Sequence, residues 1–558
     1  MSQRAQGLPL LVMGDETERV SDRDAQEYNI QAARAVADAV RSTLGPKGMD
    51  KMLVDDIGQV TVTNDGVTIL DEMEIENPTA QMIVEVAETQ EDEGGDGTTT
   101  AITVAGELLA KAEGLLEQDV HPTSIIRGYN EASGRAAEAI REVAEKIDSN
   151  DEELLRKVAT TSMTGMGADQ NKELLAGLVV DTVTAVTVES DSGEKVVDLE
   201  YGNIEIQEGR PVRESEVISG SVVKKDPGHE DMPTTFDEAS ILLIDTAIEY
   251  DGTDVDTQIT IDDRNQLQRF LDSEDDQLRE YADQIVGSGA DVVICQNGID
   301  EVVDHFLMKQ GILTIDRISK TDMGFLKNLL EAPILSSLDG VTGEDLGTGS
   351  IRRSDDEELF YIEGTGAEAH GVTMLLRAPT EHVLDELERG VQDAVDVVTQ
   401  TVTDGRVLAG GGAIEVEIAR RIRDHADSVQ GREQLAVEAF ADALEVVPRA
   451  LADNAGLDPI DMLVKLRAAH DDGDTRAGLD VFTGEVVDTF DAGVVEPVHA
   501  KSHAIVSAIE AASLVLKIDD IIQAGGEPDE WQPGDEAPVN PRDPGGNPGP
   551  LPDAGDPF

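Results

Sequence analysis

A chain of 558 residues with 39% hydrophobic side chains exceeds one hydrophobic core, so about two to four domains are expected. Lys and Arg total 43 against 116 Asp and Glu, a formal net charge of −73 that excludes nucleic acid and anionic membranes as partners of its surface. The single cysteine, Cys295, excludes an intrachain disulfide and points to a reducing, cytoplasmic compartment.

The acids run along the whole length rather than in one tail. Self-repulsion on that scale weakens a compact state unless salt screens it. The expectation is a cytoplasmic protein of an extreme halophile. Aromatics are only 3%, so the cores must be built from Val, Ile, Leu and Ala. The histidines form no HExxH and no Cys/His cluster, so no zinc site is expected.

In chain order, "LPLLVM" (8–13) is too short for a signal peptide with its cleavage site, and far too short to span a bilayer. "DAQEYNIQAARAVADAVRSTL" has helical apolar spacing and stops at Gly45-Pro46. "GQVTVTNDG" reads as a strand entering an Asn-Asp-Gly turn. "TAQMIVEVAETQEDE" is a second helix that breaks at Gly94-Gly95. A third begins near Thr98, and "HPTSIIRGYNEASGRAAEAIREVAEKI" is a fourth.

From about residue 218 to 373, β-branched runs such as "ASILLIDTAI", "ADVVICQNGI" and "GILTIDRI" alternate with helices, including a long polar one around Asn265 to Ile285. That alternation predicts α/β layering. Cys295 ends one of these runs and reads as a buried, inert thiol. After 408 the chain is helical again, broken at Gly410-Gly411-Gly412. The simplest architecture is multidomain α+β: a helical domain made from both chain ends, 1–152 and 408–524, with an α/β domain, 218–373, inserted. The connecting stretches 153–217 and 374–407 form a small third domain. From Gly525 onward Pro, Gly and acids dominate, and the tail, with the lone Trp531, is expected to be disordered.

"GGDGTTT" (94–100) places glycines, an acid and three hydroxyls at the mouth of a helix. A helix N-terminus offers unpaired N–H groups and the positive end of the dipole. Glycines allow close approach of a bulky anion, Thr98, Thr99 and Thr100 add hydroxyls, and Asp96 fits if Mg²⁺ lies between it and the phosphates. On this stretch alone, a Mg-nucleotide cradle and a plain Gly-rich turn with Thr caps stand level. No GK[ST] follows, so it is not a Walker A loop. "LGPKGMDKML", "TNDG" with Asp65, and "VLAGGGA" add similar turns, each ordinary by itself.

Together these segments resemble the group II chaperonins, the archaeal thermosome type related to the eukaryotic cytosolic ring chaperonin. The resemblance runs from about 9 to 524 through "AARAVADAVRSTLGPKGMDKMLVD", "VTNDGVTIL", "GDGTTTA", "CQNGID", "TEHVLDELERGVQDAVDVV", "AGGGAIEVEIARRI" and "LDVFTGEVVDTFDAGVVEPVHAKSHAI", in the family's order. It implies equatorial, intermediate and apical domains, ATP and Mg²⁺ as ligands with K⁺ as a further cation to test, and an ATPase cycle that folds non-native proteins. It also implies like or sister subunits in two stacked rings, usually about eight to a ring. "LPLLVM" and "LKIDDII" are candidate edge strands for a neighbour.

Residue by residue, the resemblance makes Asp96 the Mg²⁺ ligand and Gly97 to Thr100 the phosphate cradle. Leu44, Gly45 and Pro46 wrap the nucleotide. Asn64 and Asp65 face the γ-phosphate, with Asp65 in the catalytic set. Gly411 and Gly412 form the ribose loop, and Asp480 and Glu496 lie near adenine and ribose. Asp393, on a helix of the intermediate part, takes the position of the general base that orients and deprotonates water. Read by itself, Asp393 is one acid on a solvated helix face.

Residues of about 250–278 match the helical protrusion that serves as a built-in lid, where Leu267, Phe270 and Leu271 either contact clients or pack between protrusion helices. Two departures stand out. Met166 in "TGMGA" replaces a lysine common in a loop that senses the γ-phosphate, and "RAPTEH" puts Pro379 at a hinge. Two other readings remain: a nucleotide-binding ring or filament protein with little turnover, and a phosphotransferase, for which no acceptor site is recognisable.

Overall fold

The computed structural model describes residues 18–523 apart from 22, 55–57, 59, 74, 165–170, 190–194, 251–263, 355 and 367–370. The expectations for Leu10 to Met13, Met166, the outer protrusion and the tail with Trp531 lie outside the described residues. Leu267, Phe270 and Leu271 fall on the helix Arg264–Ser288, with their side chains outside them. The chain divides into two compact units. One, from residues 1–26 and 518–558, contains the antiparallel pair Glu18–Ser21 and Asp520–Gln523, with Glu18 opposite Gln523. The strand in "LKIDDII" thus has a partner in its own chain, a pairing the sequence pattern did not announce.

The second unit, Glu27–Lys517, holds several cores. The first is helical and joins distant stretches: Ile30, Ile69, Leu108 and Tyr129 pack with Ile418, Phe440, Ile509 and Val515. The helix Thr98–Glu117 runs through it, and its run of small and apolar residues is buried on most sides. Tyr129 is buried there because its hydroxyl donates to the Leu108 carbonyl at 2.8 Å.

The second core lies between the helices Glu152–Ser162, Lys172–Ala185 and Glu381–Asp404 and a three-stranded sheet. In that sheet Val372–Ala378 is central, parallel to Gly202–Glu208 and antiparallel to Glu216–Ser219. Pro379 follows the central strand directly and precedes the helix that carries Asp393.

Two further cores cover the faces of a seven-stranded sheet. Leu313–Ile315, Val292–Cys295 and Thr235–Ile244 are parallel neighbours; Gly347–Ser354, Leu359–Gly364 and Ser221–Lys224 continue antiparallel. Along Thr235–Ile244, Ile241 and Leu243 face one core while Leu242 and Ile244 face the other, as a strand buried on both sides requires. The α/β layering expected for this region holds. Cys295 is buried and its thiol is pushed up to about 12, chiefly by burial. Among the described residues no helix is long and apolar enough to cross a membrane.

Short strands that the sequence pattern hid complete the frame of the site. Ala477–Asp480 pairs with Glu485–Asp488, and Val495–Pro497 pairs with Arg406–Ala409, setting Glu496 opposite Leu408.

Candidate functional site

The helix Thr98–Glu117 begins at Gly97, whose φ of 88° lies in the left-handed region that glycine adopts without strain. No side chain caps this end, so its first N–H groups point outward. The loop before it is held from behind. The buried Gln90 amide donates to the Asp96 carbonyl at 2.7 Å, and its oxygen meets His503 Nδ1 at 2.7 Å. Asp96 accepts from the Gly97 N–H and opens onto the cleft.

The "TNDG" turn presses against this start. A Cβ on Gly66 would lie 2.6 Å from Thr99 Oγ1, so a side chain there would have to displace Thr99. Asp65 caps the helix Gly66–Asp71: its Oδ2 accepts the Thr68 N–H at 2.8 Å and the Thr68 hydroxyl at 2.7 Å. The Asn-Asp-Gly pattern marks the turn but not this short helix.

A cleft of about 440 Å³ continues into a smaller one of about 130 Å³, sharing Leu44, Gly45, Asp96, Gly97 and Thr100. That size suits a small-molecule ligand. The larger part is lined by Pro46, Gly411, Gly412, Asp480 and Glu496, the smaller by Asn64, Asp65, Thr98, Thr99 and Asp393. Leu44, Gly45, Pro46, Asn64, Asp65, Asp96 to Thr100, Asp393, Gly411, Gly412, Asp480 and Glu496 therefore all border these adjoining spaces. Thr164, the first residue of the "TGMGA" loop, lines both parts, and Thr160, Thr161, Ser162, Lys172 and Phe482 line the space without any local signal in the sequence.

At the wide end, Gly411 and Gly412 lead into the helix Ala413–Ala426, again with no side-chain cap. The Gly411 carbonyl accepts from Leu479 N–H at 2.9 Å, which ties this loop to the strand that carries Asp480. Burial pushes the Asp480 carboxyl up, but the Thr483 hydroxyl and the N–H groups of Phe482 and Thr483 donate to it and hold it below the usual range. Lys501 lies between Glu415 at 2.8 Å and Glu496 at 2.7 Å. Burial pushes its ammonium down, but the two carboxylates prevail and raise it. Burial raises Glu496 too, against the opposing pull of Lys501.

Among the described residues that line the narrow end there is no Lys or Arg. Burial pushes Asp393 up to about 8, with Asp96, Asp65, Glu91 and Asp396 adding to it. Burial also raises Asp96; the Gly97 N–H and Lys501 oppose this, and Asp65 adds to it. Among the described residues no three His, Cys, Asp or Glu side chains come close enough to cage a metal by themselves. Mg²⁺ seldom uses such a cage: it takes one or two carboxylates plus phosphate oxygens and water. Acids that repel one another across a cleft beside an uncapped helix N-terminus fit that donor set.

Several supporting residues escaped the sequence reading. Lys501 is one of the few charged residues of a helix otherwise rich in small apolar side chains, a pattern that asks for buried acidic partners. Arg389 stands one helical turn before Asp393, and its Nη1 donates to Thr68 Oγ1 at 2.6 Å.

The sequence model of the TCP-1/cpn60 chaperonin family matches residues 36–526. The chain is 65% identical over 526 residues to thermosome subunit 2 of Haloferax volcanii, covering 94% of each chain. It is 60% identical over 524 residues to thermosome subunit beta of Halobacterium salinarum, again covering 94% of each. Among solved structures it resembles the open-state monomer of a group II chaperonin from Methanococcoides burtonii, with a TM-score of 0.59 and 39% identity over 76% of this chain and all of that one. The chain belongs to the TCP-1/cpn60 chaperonin family, as a group II chaperonin subunit. Haloferax and Halobacterium are halophilic archaea, in line with the composition.

Proposed function

We propose that this chain is the ATP-hydrolysing subunit of a cytoplasmic double-ring chaperonin that binds and folds non-native proteins. In this reading the helical core from both chain ends is the equatorial domain, the core around the helix Glu381–Asp404 is the intermediate domain, and the seven-stranded sheet is the apical domain. Like or sister subunits complete the rings.

Adenine and ribose occupy the wide end of the cleft, between Leu44, Gly45 and Pro46 on one side and Gly411, Gly412, Asp480 and Glu496 on the other. The N–H groups at Gly97, Thr98 and Thr99, with the hydroxyls of Thr98 to Thr100, hold the phosphates. Asp96 would hold Mg²⁺, which supplies charge neutralisation on the phosphoryl oxygens when bound. K⁺ is a further cation for the same phosphates. Asp65 and Asn64 face the γ-phosphate, and Asp393 accepts the proton of the attacking water.

The observation that carries this reading is the meeting of Asp393 with Asp65 and Asp96 on one small space. Asp393 comes from the second core, the other two from the first, so hydrolysis requires the two to be packed together. The test is Asp393→Ala in molar KCl with Mg²⁺. Hydrolysis is expected to fall by about 10²–10⁴-fold with nucleotide binding retained and client release lost. A variant that hydrolyses ATP at the wild-type rate, or a wild-type chain with negligible turnover, would overturn the reading in favour of a nucleotide-binding structural ring.

A further inference from the structure

We propose that Arg389 is a positioning residue for hydrolysis, one that makes the placement of Asp393 and of Asp65 conditional on each other. The proposal rests on the reading of the cleft as an ATPase site.

Arg389 and Asp393 lie four residues apart on the helix Glu381–Asp404, hence on one face. Asp393 reaches the cleft, while Arg389 reaches the turn that presents Asp65. The direction of each hydrogen bond there is forced. A guanidinium only donates, so Thr68 Oγ1 accepts from Arg389 Nη1 at 2.6 Å. The single hydroxyl hydrogen of Thr68 then goes to Asp65 Oδ2, at 2.7 Å. The second hydroxyl beside Asp65 is Thr63 Oγ1, which accepts the Asp65 backbone N–H at 3.1 Å and lies 3.5 Å from the same Nη1. One guanidinium thus stands over both hydroxyls that fix Asp65, one through its carboxylate and one through its backbone.

A hydroxyl that accepts from a cation becomes a stronger donor, because charge-assisted bonds in a chain polarise one another. Arg389 therefore tightens the Thr68–Asp65 bond only when its helix is seated. If the helix lifts, Asp393 leaves the cleft and the Asp65 turn loses its brace in the same movement. A partly seated helix leaves both carboxylates misaligned, and idle hydrolysis is suppressed.

The test compares Arg389→Met, Arg389→Lys, Thr68→Val and the double variant Arg389→Met/Thr68→Val by single-turnover ATP hydrolysis, nucleotide affinity and amide exchange of residues 60–72. Arg389→Met is expected to lower the hydrolysis rate by at least about tenfold with affinity within about threefold of wild type, the mark of a lost transition-state interaction. Arg389→Lys, which keeps a cationic donor, is expected to recover part of the rate. The double variant is expected to be no slower than the slower single one, because both break one chain. Amide exchange of 60–72 should rise in Arg389→Met with nucleotide bound.

Wild-type rate in Arg389→Met, losses that multiply in the double variant, or an affinity loss equal to the rate loss would overturn the proposal. Absent turnover in the wild type would refute the ATPase reading instead. Exchange then decides the brace alone: unchanged protection of 60–72 in Arg389→Met removes it.

Discussion

The two ends of the cleft handle buried acid in opposite ways. At the wide end, Glu415 and Glu496 share one ammonium, that of Lys501, at 2.8 and 2.7 Å. At the narrow end, Asp65, Asp96 and Asp393 border the same small space; burial raises Asp393 and Asp96, and the Asp65 carboxylate adds to both. The residue types are alike, but the wide end carries a cation in direct contact with its acids, whereas none of the described residues lining the narrow end is a Lys or Arg. In the proposed reading the self-neutralised end is the seat of the nucleotide's adenine and ribose. In the same proposed reading, a cation and phosphates supply the counter-charge of the narrow end, and this links ligand binding to the seating of the Asp393 helix.

The largest expected effect breaks the self-neutralised end. Lys501→Met leaves the buried Glu415 and the half-buried Glu496 without their cation, and stranding a buried charge costs about 3–5 kcal/mol. Chemical denaturation in molar KCl without nucleotide should show a loss of that order, together with weakened nucleotide binding. Stability equal to wild type would mean that the glutamates do not depend on Lys501, and the contrast between the ends would fall.

The next effect has the opposite sign. Asp393 is raised to about 8 by burial and its acidic neighbours, against an ordinary value of about 3.9 in an unfolded chain. Between those values the unfolded state has released a proton that the folded state still holds, so stability declines as pH rises from about 4 to about 8 and levels off above. Asp393→Asn should remove this decline in the nucleotide-free protein and make it more stable at pH 8, even as it slows turnover. Mg-nucleotide should flatten the wild-type curve as well. A nucleotide-free wild type that gains stability from pH 5 to 8 relative to Asp393→Asn would show that the narrow end is already compensated.

The contrast was only half legible in the sequence. The glycine-rich helix starts at Gly97 and Gly412 could be read locally, because both need left-handed φ just before a helical run. The family motifs then carried Asp65, Asp96, Asp393, Asp480 and Glu496 to one cleft, and all of them border it. The residues that set the charge balance were not legible, because their partners are remote in the chain. Arg389 meets Thr68 across 321 positions, Lys501 meets Glu415 across 86, and Gln90 reaches the Ala500 carbonyl across 410. No local spacing encodes such pairs. The order of the seven-stranded sheet was equally hidden, since hydrophobic alternation marks strands but not their neighbours. The short strands Ala477–Asp480 and Val495–Pro497 sit in a region read as helical, and they are too brief to show a period of two.

The smallest effect probes the rim of the wide end. Asp480 accepts from the N–H groups of Phe482 and Thr483 and from the Thr483 hydroxyl at 2.8 Å, which holds its carboxyl low. Its share of stability is present above the unfolded carboxylate value and lost as pH falls through the lowered folded one. An asparagine keeps an oxygen for the two backbone donors, loses the charge, and sets an NH2 group against the Thr483 hydroxyl, which must then accept instead of donate. Asp480→Asn is therefore expected to weaken nucleotide binding a few-fold, about 1 kcal/mol or less, with the hydrolysis rate at saturation unchanged. Titration calorimetry and steady-state kinetics separate the two. A drop in the saturated rate would mean that the wide end also shapes the chemistry, and a seat independent of the reacting end would no longer describe it.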